Sequence, residues 1–222
     1  EVELNGLLQS EDVDLMQQAL LHLGVKIQKN GNKIIVFGNG GLIDKKECTI
    51  NVGNAGTIAR FLTCLLAAQI EGVYHMDGTP PMRKRPMLEL LNCLESLGCE
   101  VQYHGNVGHF PFSLFTRGLS KRMIEIDAQK SGQNISGILM QCPALDGDCV
   151  VNFTSGTVSV PFVDMTLKMM CSFISGDSLN YKLLENFAEV PCSEYKTNNF
   201  SYDIEPDATA ASYFLTLPQV VG

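Results

Sequence analysis

Tryptophan is absent from this 222-residue chain. No stretch approaches the ~18 consecutive apolar residues of a membrane-spanning helix, so no membrane partner is expected. The opening Glu1-Val2-Glu3-Leu4 also lacks the basic start of a signal peptide. Positive charge is scarce: 16 Lys and Arg stand against 24 Asp and Glu, for a formal net charge of -8. That balance argues against a nucleic-acid backbone as partner. The four histidines, His22, His75, His104 and His109, show no ligand spacing, which argues against a metal site. Neither a G-x-S-x-G elbow nor a Walker-type phosphate loop is present. Gly38-Asn39-Gly40-Gly41 lacks the third glycine of a dinucleotide fingerprint and reads as a turn.

Cysteine is plentiful but unpatterned. Cys48, Cys64, Cys93, Cys99, Cys142, Cys149, Cys171 and Cys192 lie in apolar surroundings without a C-x-x-C pair. They read as free, mostly buried thiols suited to a reducing compartment, so a cytoplasmic location is expected. The 45% hydrophobic and 18% charged content is that of a folded globular chain. The non-Met first residue and the apolar finish at Thr216-Leu217-Pro218-Gln219-Val220-Val221-Gly222 make both ends read as cuts.

Hydrophobic periodicity reveals a repeated sentence. Ser10 caps a helix with apolar Val13, Met16, Ala19, Leu20 and Leu23 that ends at Gly24. The strands Val25-Lys26-Ile27 and Lys33-Ile34-Ile35-Val36-Phe37 follow, joined by the turn Asn30-Gly31-Asn32. A second copy runs from Pro86 to Leu97, ends at Gly98 and feeds the strand Cys99–Tyr103; a third runs from Pro161 to Gly176. A second helix set, Gly56 to Ala68, Gly132 to Leu145 and Ala208 onward, recurs about every 76 residues and is strongly apolar throughout. All-round apolar helices are expected in the interior, and the one-faced set outside. The expectation is a single α/β (α+β) domain over residues 1–222, with three helix-and-sheet units around buried central helices.

Three segments are candidate anion sites. Gly53-Asn54-Ala55-Gly56-Thr57 opens an apolar helix with small residues, so a ligand can approach free N–H groups at a positive helix end; close helix packing is the alternative reading. Met82-Arg83-Lys84-Arg85-Pro86 sets three cations before a helix whose proline suits the first turn, and could equally be a solvated basic loop. Ser131-Gly132-Gln133-Asn134 and Ser155-Gly156-Thr157-Val158-Ser159-Val160-Pro161 stand at two further helix mouths, where each serine serves as either phosphate donor or N-cap.

Asn54-Ala55-Gly56-Thr57, Arg60, Met82 with Arg85-Pro86, Ser131-x-Gln133, Ser159-x-Pro161, and Glu205-Pro206-Asp207-Ala208 with Ala211-Ser212-Tyr213-Phe214 stand in a distinctive order and spacing. Together they resemble the EPSP synthases of the enolpyruvyltransferase family along nearly the whole chain. The resemblance implies the N-terminal half of a two-domain inside-out α/β barrel. It also implies transfer of the enolpyruvyl group of phosphoenolpyruvate to the 5-hydroxyl of shikimate-3-phosphate with release of phosphate, on the route to aromatic amino acids. Neither a metal nor an organic cofactor is implied.

Carried over by residue, Gly56 and Arg85 are implied phosphoenolpyruvate contacts. Ser131, Gly132 (through its backbone), Ser159 and Phe162 are implied at shikimate-3-phosphate, and Gln133 between the two substrates. Asp207 matches a position near the domain crossover. Three residues depart from the family pattern: Gly132 replaces a frequent serine, Phe162 a tyrosine and Phe61 a proline. A leading Gly-Ser-Lys-Ser segment and a C-terminal domain carrying the acid/base groups are expected outside residues 1–222, so this chain alone is expected to be inactive. One alternative, an enolpyruvyltransferase acting on UDP-N-acetylglucosamine, expects a cysteine in the 82–86 loop, which has none. The other alternative is a non-catalytic anion-binding module.

Overall fold

The computed structural model describes residues 1–127, 131–154, 160–176, 179–196 and 199–221. In chain order its elements are β1 (Val2–Asn5), α1 (Glu11–His22), β2 (Lys26–Asn30), β3 (Lys33–Phe37), β4 (Glu47–Asn51), α2 (Gly56–Ala67) and β5 (Gly72–Asp77). A 3-10 turn at Met82–Lys84 precedes α3 (Leu88–Ser96), β6 (Glu100–Tyr103), β7 (Phe112–Thr116), β8 (Met123–Ile126) and α4 (Gly132–Leu139). A second 3-10 turn at Cys142–Ala144 leads to β9 (Cys149–Phe153), α5 (Val160–Phe173), β10 (Lys182–Leu183), β11 (Phe187–Val190), β12 (Phe200–Asp203) and α6 (Ala208–Val221).

The repeat is explicit in the sheets. They are four-stranded, in the orders β4-β5-β7-β6, β8-β9-β11-β10 and β12-β1-β3-β2. Each contains one parallel pair, β4 with β5, β8 with β9, and β12 with β1, extended by two antiparallel strands. The third sheet is the same unit assembled from both ends of the chain, with Val2 opposite Phe200 and Asn5 opposite Asp203. Parallel neighbours require a crossover connection, and α2 and α4 supply it in the first two units.

Those two crossover helices form the centre. Ile58, Ala59, Leu62, Thr63, Cys64 and Leu66 of α2 are buried, as are Ile135, Ser136, Gly137, Ile138 and Leu139 of α4. Inward-facing strand residues close over them: Tyr74 and Met76 of β5 and Phe112 and Leu114 of β7 are essentially inaccessible. Strand alternation produces this, since only every second side chain of a half-buried sheet faces the core.

Local rules account for α1. The Val13 N–H donates to Ser10 Oγ at 3.3 Å, Glu11, Asp12 and Asp14 fill the first turn, and Gly24 takes φ +97° after the last turn. Substituting Ser10→Ala should lower stability by about 1 kcal/mol. Chemical denaturation checks this; an unchanged midpoint would show that the cap contributes nothing.

Several expectations need correction. Pro86 lies outside α3, which begins at Leu88. Arg85 is extended (φ -82°, ψ 133°), as a residue before proline prefers to be, and the preceding chain forms the 3-10 turn instead. α4 ends at Leu139, and its continuation is the 3-10 turn containing Pro143, which has no N–H for a helix. The largest correction concerns α6, expected in the interior. Phe214, Leu215 and Leu217 are 72%, 74% and 51% exposed. Topology supplies the reason: α2 and α4 each return into a strand beside the one they left, whereas the strand beside β12 is β1, at the opposite end of the sequence. Among the described residues no strand follows α6.

Among the described residues no helix is long and apolar enough to cross a membrane. The eight cysteines are unpaired, six of them buried, with only Cys171 and Cys192 more open. Burial pushes the Cys93 and Cys99 thiols up to about 12, so they pack as apolar groups rather than as nucleophiles.

Candidate functional site

The site is built at the amino end of α2. Ala55 is the N-cap, in extended conformation with no side-chain hydrogen bond to the helix, so the first-turn N–H groups remain available to a ligand. The approach is shaped by Gly53, at φ +59°, whose N–H donates to Asn51 Oδ1 at 2.9 Å. The Gly53 carbonyl accepts from the Thr79 N–H at 2.9 Å and the Thr79 hydroxyl at 3.2 Å. A Cβ on Gly78 would lie 2.9 Å from the same carbonyl, so the loops after β4 and β5 pack backbone against backbone.

The basic segment meets that helix end with its cations already sorted. Arg83 is engaged by Asp77 through Nε at 2.9 Å and Nη2 at 2.6 Å. The bidentate guanidinium holds the Asp77 carboxyl below its ordinary range, first through that side-chain bond. The Arg85 guanidinium instead lies over Gly56. A Cβ built on Gly56 would fall 2.8 Å from both Nη1 and Nη2 of Arg85. Arg85 is thus a cation held against the open helix end, and no ion pair among the described residues neutralises it.

Arg60 lies beneath this pair. It is the single charged residue of α2 and only 4% exposed. Its Nη1 donates to the Gly56 carbonyl at 3.1 Å and Nη2 to the Pro86 carbonyl at 3.4 Å. Burial, and next the Arg85 charge, pull its pKa down from the usual arginine value, with Glu89 opposing. Two guanidiniums and a helix amino end therefore converge on one small region of positive potential, which fits a compact anion carrying carboxylate or phosphate groups.

A second helix mouth lies alongside. Ser131 is the N-cap of α4, but its side chain makes no capping hydrogen bond, unlike that of Ser10. The hydroxyl reading as a plain N-cap is therefore not the one adopted. Gly132 is buried, Gln133 is half-buried, and the Asn134 Oδ1 is a buried acceptor without a hydrogen-bond partner. α2 and α4 run in the same direction. Gly137 rests on Arg60 and Cys64, while Leu65 and Ala68, at the end of α2, share a groove with Gln141 and Ala144, past the end of α4. The amino ends at Gly56 and Gly132 accordingly open on one side of the domain.

Phe162 lies in the first turn of α5 and is 62% exposed. α5 is tied to α4 through Ser136 Oγ and Thr166 Oγ1, 2.8 Å apart. Ser159 lies outside the described residues. Asp207 directly precedes α6, where its carbonyl accepts from the Ala211 N–H at 3.0 Å. Among the described residues no cluster of three or more His, Cys, Asp or Glu could hold a metal. A cavity of about 810 Å³ lies away from these helix mouths. It is an apolar groove between α2, the 3-10 turn after α4, and α5, lined by Leu65, Ala68, Met140, Met165 and Met169 among others.

One contributor escaped the sequence reading, and a second was named there without a role. Asp77 separates the roles of Arg83 and Arg85, and no local pattern announced it. Arg60 had a signal, a lone charge in an otherwise apolar helix, but its two carbonyl partners come from elements brought together only by folding.

Comparison with known proteins shows the family of the chain. The family model described as EPSP synthase (3-phosphoshikimate 1-carboxyvinyltransferase) matches residues 1–222. A 3-phosphoshikimate 1-carboxyvinyltransferase of Opitutus terrae is 41% identical over 224 residues, covering 100% of this chain and 51% of that protein. The pentafunctional AROM polypeptide of Schizosaccharomyces pombe is 33% identical, with 99% of this chain matching 14% of its length. A solved EPSP synthase structure from Acinetobacter baumannii superposes with a TM-score of 0.77 at 24% identity, over 97% of this chain and 46% of that one. The chain spans about half the length of the single-function curated relatives that it matches. By sequence match over its whole length, this chain belongs to the EPSP synthase family.

Proposed function

We propose that this chain is the N-terminal, substrate-binding half of a 3-phosphoshikimate 1-carboxyvinyltransferase. The whole enzyme transfers the enolpyruvyl group of phosphoenolpyruvate to the 5-hydroxyl of shikimate-3-phosphate and releases phosphate. One observation carries this reading: the Arg85 guanidinium stands over Gly56 at the uncapped amino end of α2, with Arg60 beneath. In this proposal Arg85 and the first-turn N–H groups at Gly56 hold phosphoenolpyruvate by charge-assisted hydrogen bonds. Ser131, the backbone of Gly132, and Ser159 bind the phosphate of shikimate-3-phosphate. Gln133 lies between the substrates, Phe162 flanks the shikimate ring, and Asp207 marks the approach to a partner domain.

Phenylalanine offers no hydroxyl at position 162, so ring recognition there is by contact alone. The groups that protonate the enolpyruvyl methylene and deprotonate the attacking hydroxyl belong to a second domain, whose closure excludes water and completes the site. This chain alone binds substrate without turnover. A reducing, cytoplasmic setting suits its eight unpaired thiols.

Calorimetric titration of the chain with each substrate tests the proposal. Shikimate-3-phosphate should bind weakly, with affinity falling as salt rises. Ser131→Ala with Ser159→Ala should weaken that binding by about tenfold or more, with Arg85→Ala nearly silent toward it. Titration with phosphoenolpyruvate should give the converse pattern. Tight salt-independent binding, or serine variants equal to wild type, would remove these residues from the phosphate site.

A further inference from the structure

We propose that Arg60 is a positioning residue that acts through Arg85: it ties the amino end of α2 to the Arg85-Pro86 segment and so keeps the Arg85 guanidinium over Gly56. The inference rests on the reading of Arg85 as the anion clamp. Its basis is the pair of carbonyls Arg60 selects. Gly56 is the residue that the Arg85 guanidinium covers, and Pro86 is its neighbour in the chain. A single side chain thus grips both sides of the clamp.

Other contacts hold Arg85 and the residues around it but not Pro86. The Arg85 N–H donates to the Met82 carbonyl, the Met87 N–H to the Gly108 carbonyl, and Arg83 is bound to Asp77. Pro86 has no N–H, so its carbonyl is the one backbone hydrogen-bonding group it can offer. That carbonyl is what Arg60 takes.

Arginine suits the task and lysine does not. The rigid guanidinium fork presents several N–H donors at fixed angles, enough to span two carbonyls from different elements, whereas an ammonium is a point charge on a flexible stem. The arrangement is costly to keep. Arg60 is nearly inaccessible, its Nε is buried without a partner, and a second guanidinium stands close by. Packing alone would be served better by an apolar side chain at this place in an apolar helix. Both Nη groups point at carbonyls, so Arg60 orients the clamp, and Arg85 is left to touch the anion.

Nuclear magnetic resonance of the arginine Nε–Hε groups, combined with phosphoenolpyruvate titration, tests the inference on this chain. The Arg85 signal is identified by its loss in Arg85→Ala. In Arg60→Gln it should shift from its wild-type position, and phosphoenolpyruvate affinity should fall about tenfold. In the double variant, Arg60→Gln should add nothing to the loss already caused by Arg85→Ala. Arg60→Lys, which keeps the charge and the fold but not the fork, should show the same displaced signal. An unmoved Arg85 signal in both Arg60 variants overturns the inference. So does a loss that adds in full to that of Arg85→Ala, since Arg60 would then act on the anion directly or through general damage. If wild type fails to bind phosphoenolpyruvate while the signal still moves, the ligand reading of Arg85 falls and the positioning role of Arg60 stands.

Discussion

Gly56→Ala should leave the fold intact and sharply weaken phosphoenolpyruvate binding. Two effects oppose one another at this residue. Alanine is favoured over glycine in a helix by about 1 kcal/mol, so the substitution by itself supports α2. The new Cβ, however, would stand 2.8 Å from both Nη atoms of Arg85, closer than such contacts allow. The flexible partner yields: Arg85 is an exposed side chain, whereas Gly56 is fixed in the first turn of a buried helix. Displacing the clamp removes a charge-assisted interaction with the anion, for a loss of about 2 kcal/mol or roughly thirtyfold in affinity. Thermal unfolding without ligand should be unchanged or slightly later. Calorimetry showing wild-type affinity in Gly56→Ala would mean that Arg85 does not hold the ligand from its place over Gly56.

The second large effect is expected where the central helices cross. Gly137 of α4 rests on α2 so closely that a Cβ would lie 2.7 Å from Cys64 Sγ and 3.4 Å from the Arg60 carbonyl. Cys64 is wholly buried and Arg60 nearly so, and neither has open solvent to retreat into. Gly137→Val should therefore destabilise the domain by about 3 kcal/mol, as overpacking of a close-packed interior does. For a chain of this size that corresponds to roughly 6–12 °C in the unfolding midpoint. Cys64→Ala in the same chain opens space at the closest contact and should restore part of the loss. Equal midpoints for Gly137→Val with and without Cys64→Ala would place the strain elsewhere. The anion site should suffer with the crossing, because the Arg60 carbonyl touched by Gly137 belongs to the turn that follows Gly56.

The period of about 76 residues was legible because each unit is written with the same devices: a cap or proline before an apolar stripe, a glycine after it, then strands. Gly24, Gly98 and Gly176 all take positive φ, at +97°, +116° and +95°, as helix-ending glycines should. The interior placement of α2 and α4 was legible for a related reason, since α2 is mostly apolar and α4 carries Ile135, Ile138 and Leu139 among small residues, and the hydrophobic effect favours burying such helices. The same reasoning failed for α6. Composition says that a helix would gain by burial, but not whether the chain's connectivity brings a surface to it.

Local chemistry alone determined that residues 53–57, 82–86 and 131–134 are rich in anion-binding groups, because small residues at a helix mouth and a run of cations carry that meaning wherever they occur. It could not decide which cation faces the ligand. Arg83 and Arg85 are equivalent by local chemistry and only the family resemblance singled out Arg85; in the structure they part because β5 delivers Asp77 to Arg83 and the extended backbone before Pro86 sends Arg85 back over Gly56. Nor could it assign Arg60, whose partners lie at Gly56 and Pro86 on separate elements. Helix, turn and capping preferences are settled by neighbours in the chain, so the repeat and the chemical character of the loops were readable without a structure. The pairing of charges and the closing of the third sheet from both ends of the chain depend on contacts between distant residues, and only the tertiary structure decided them.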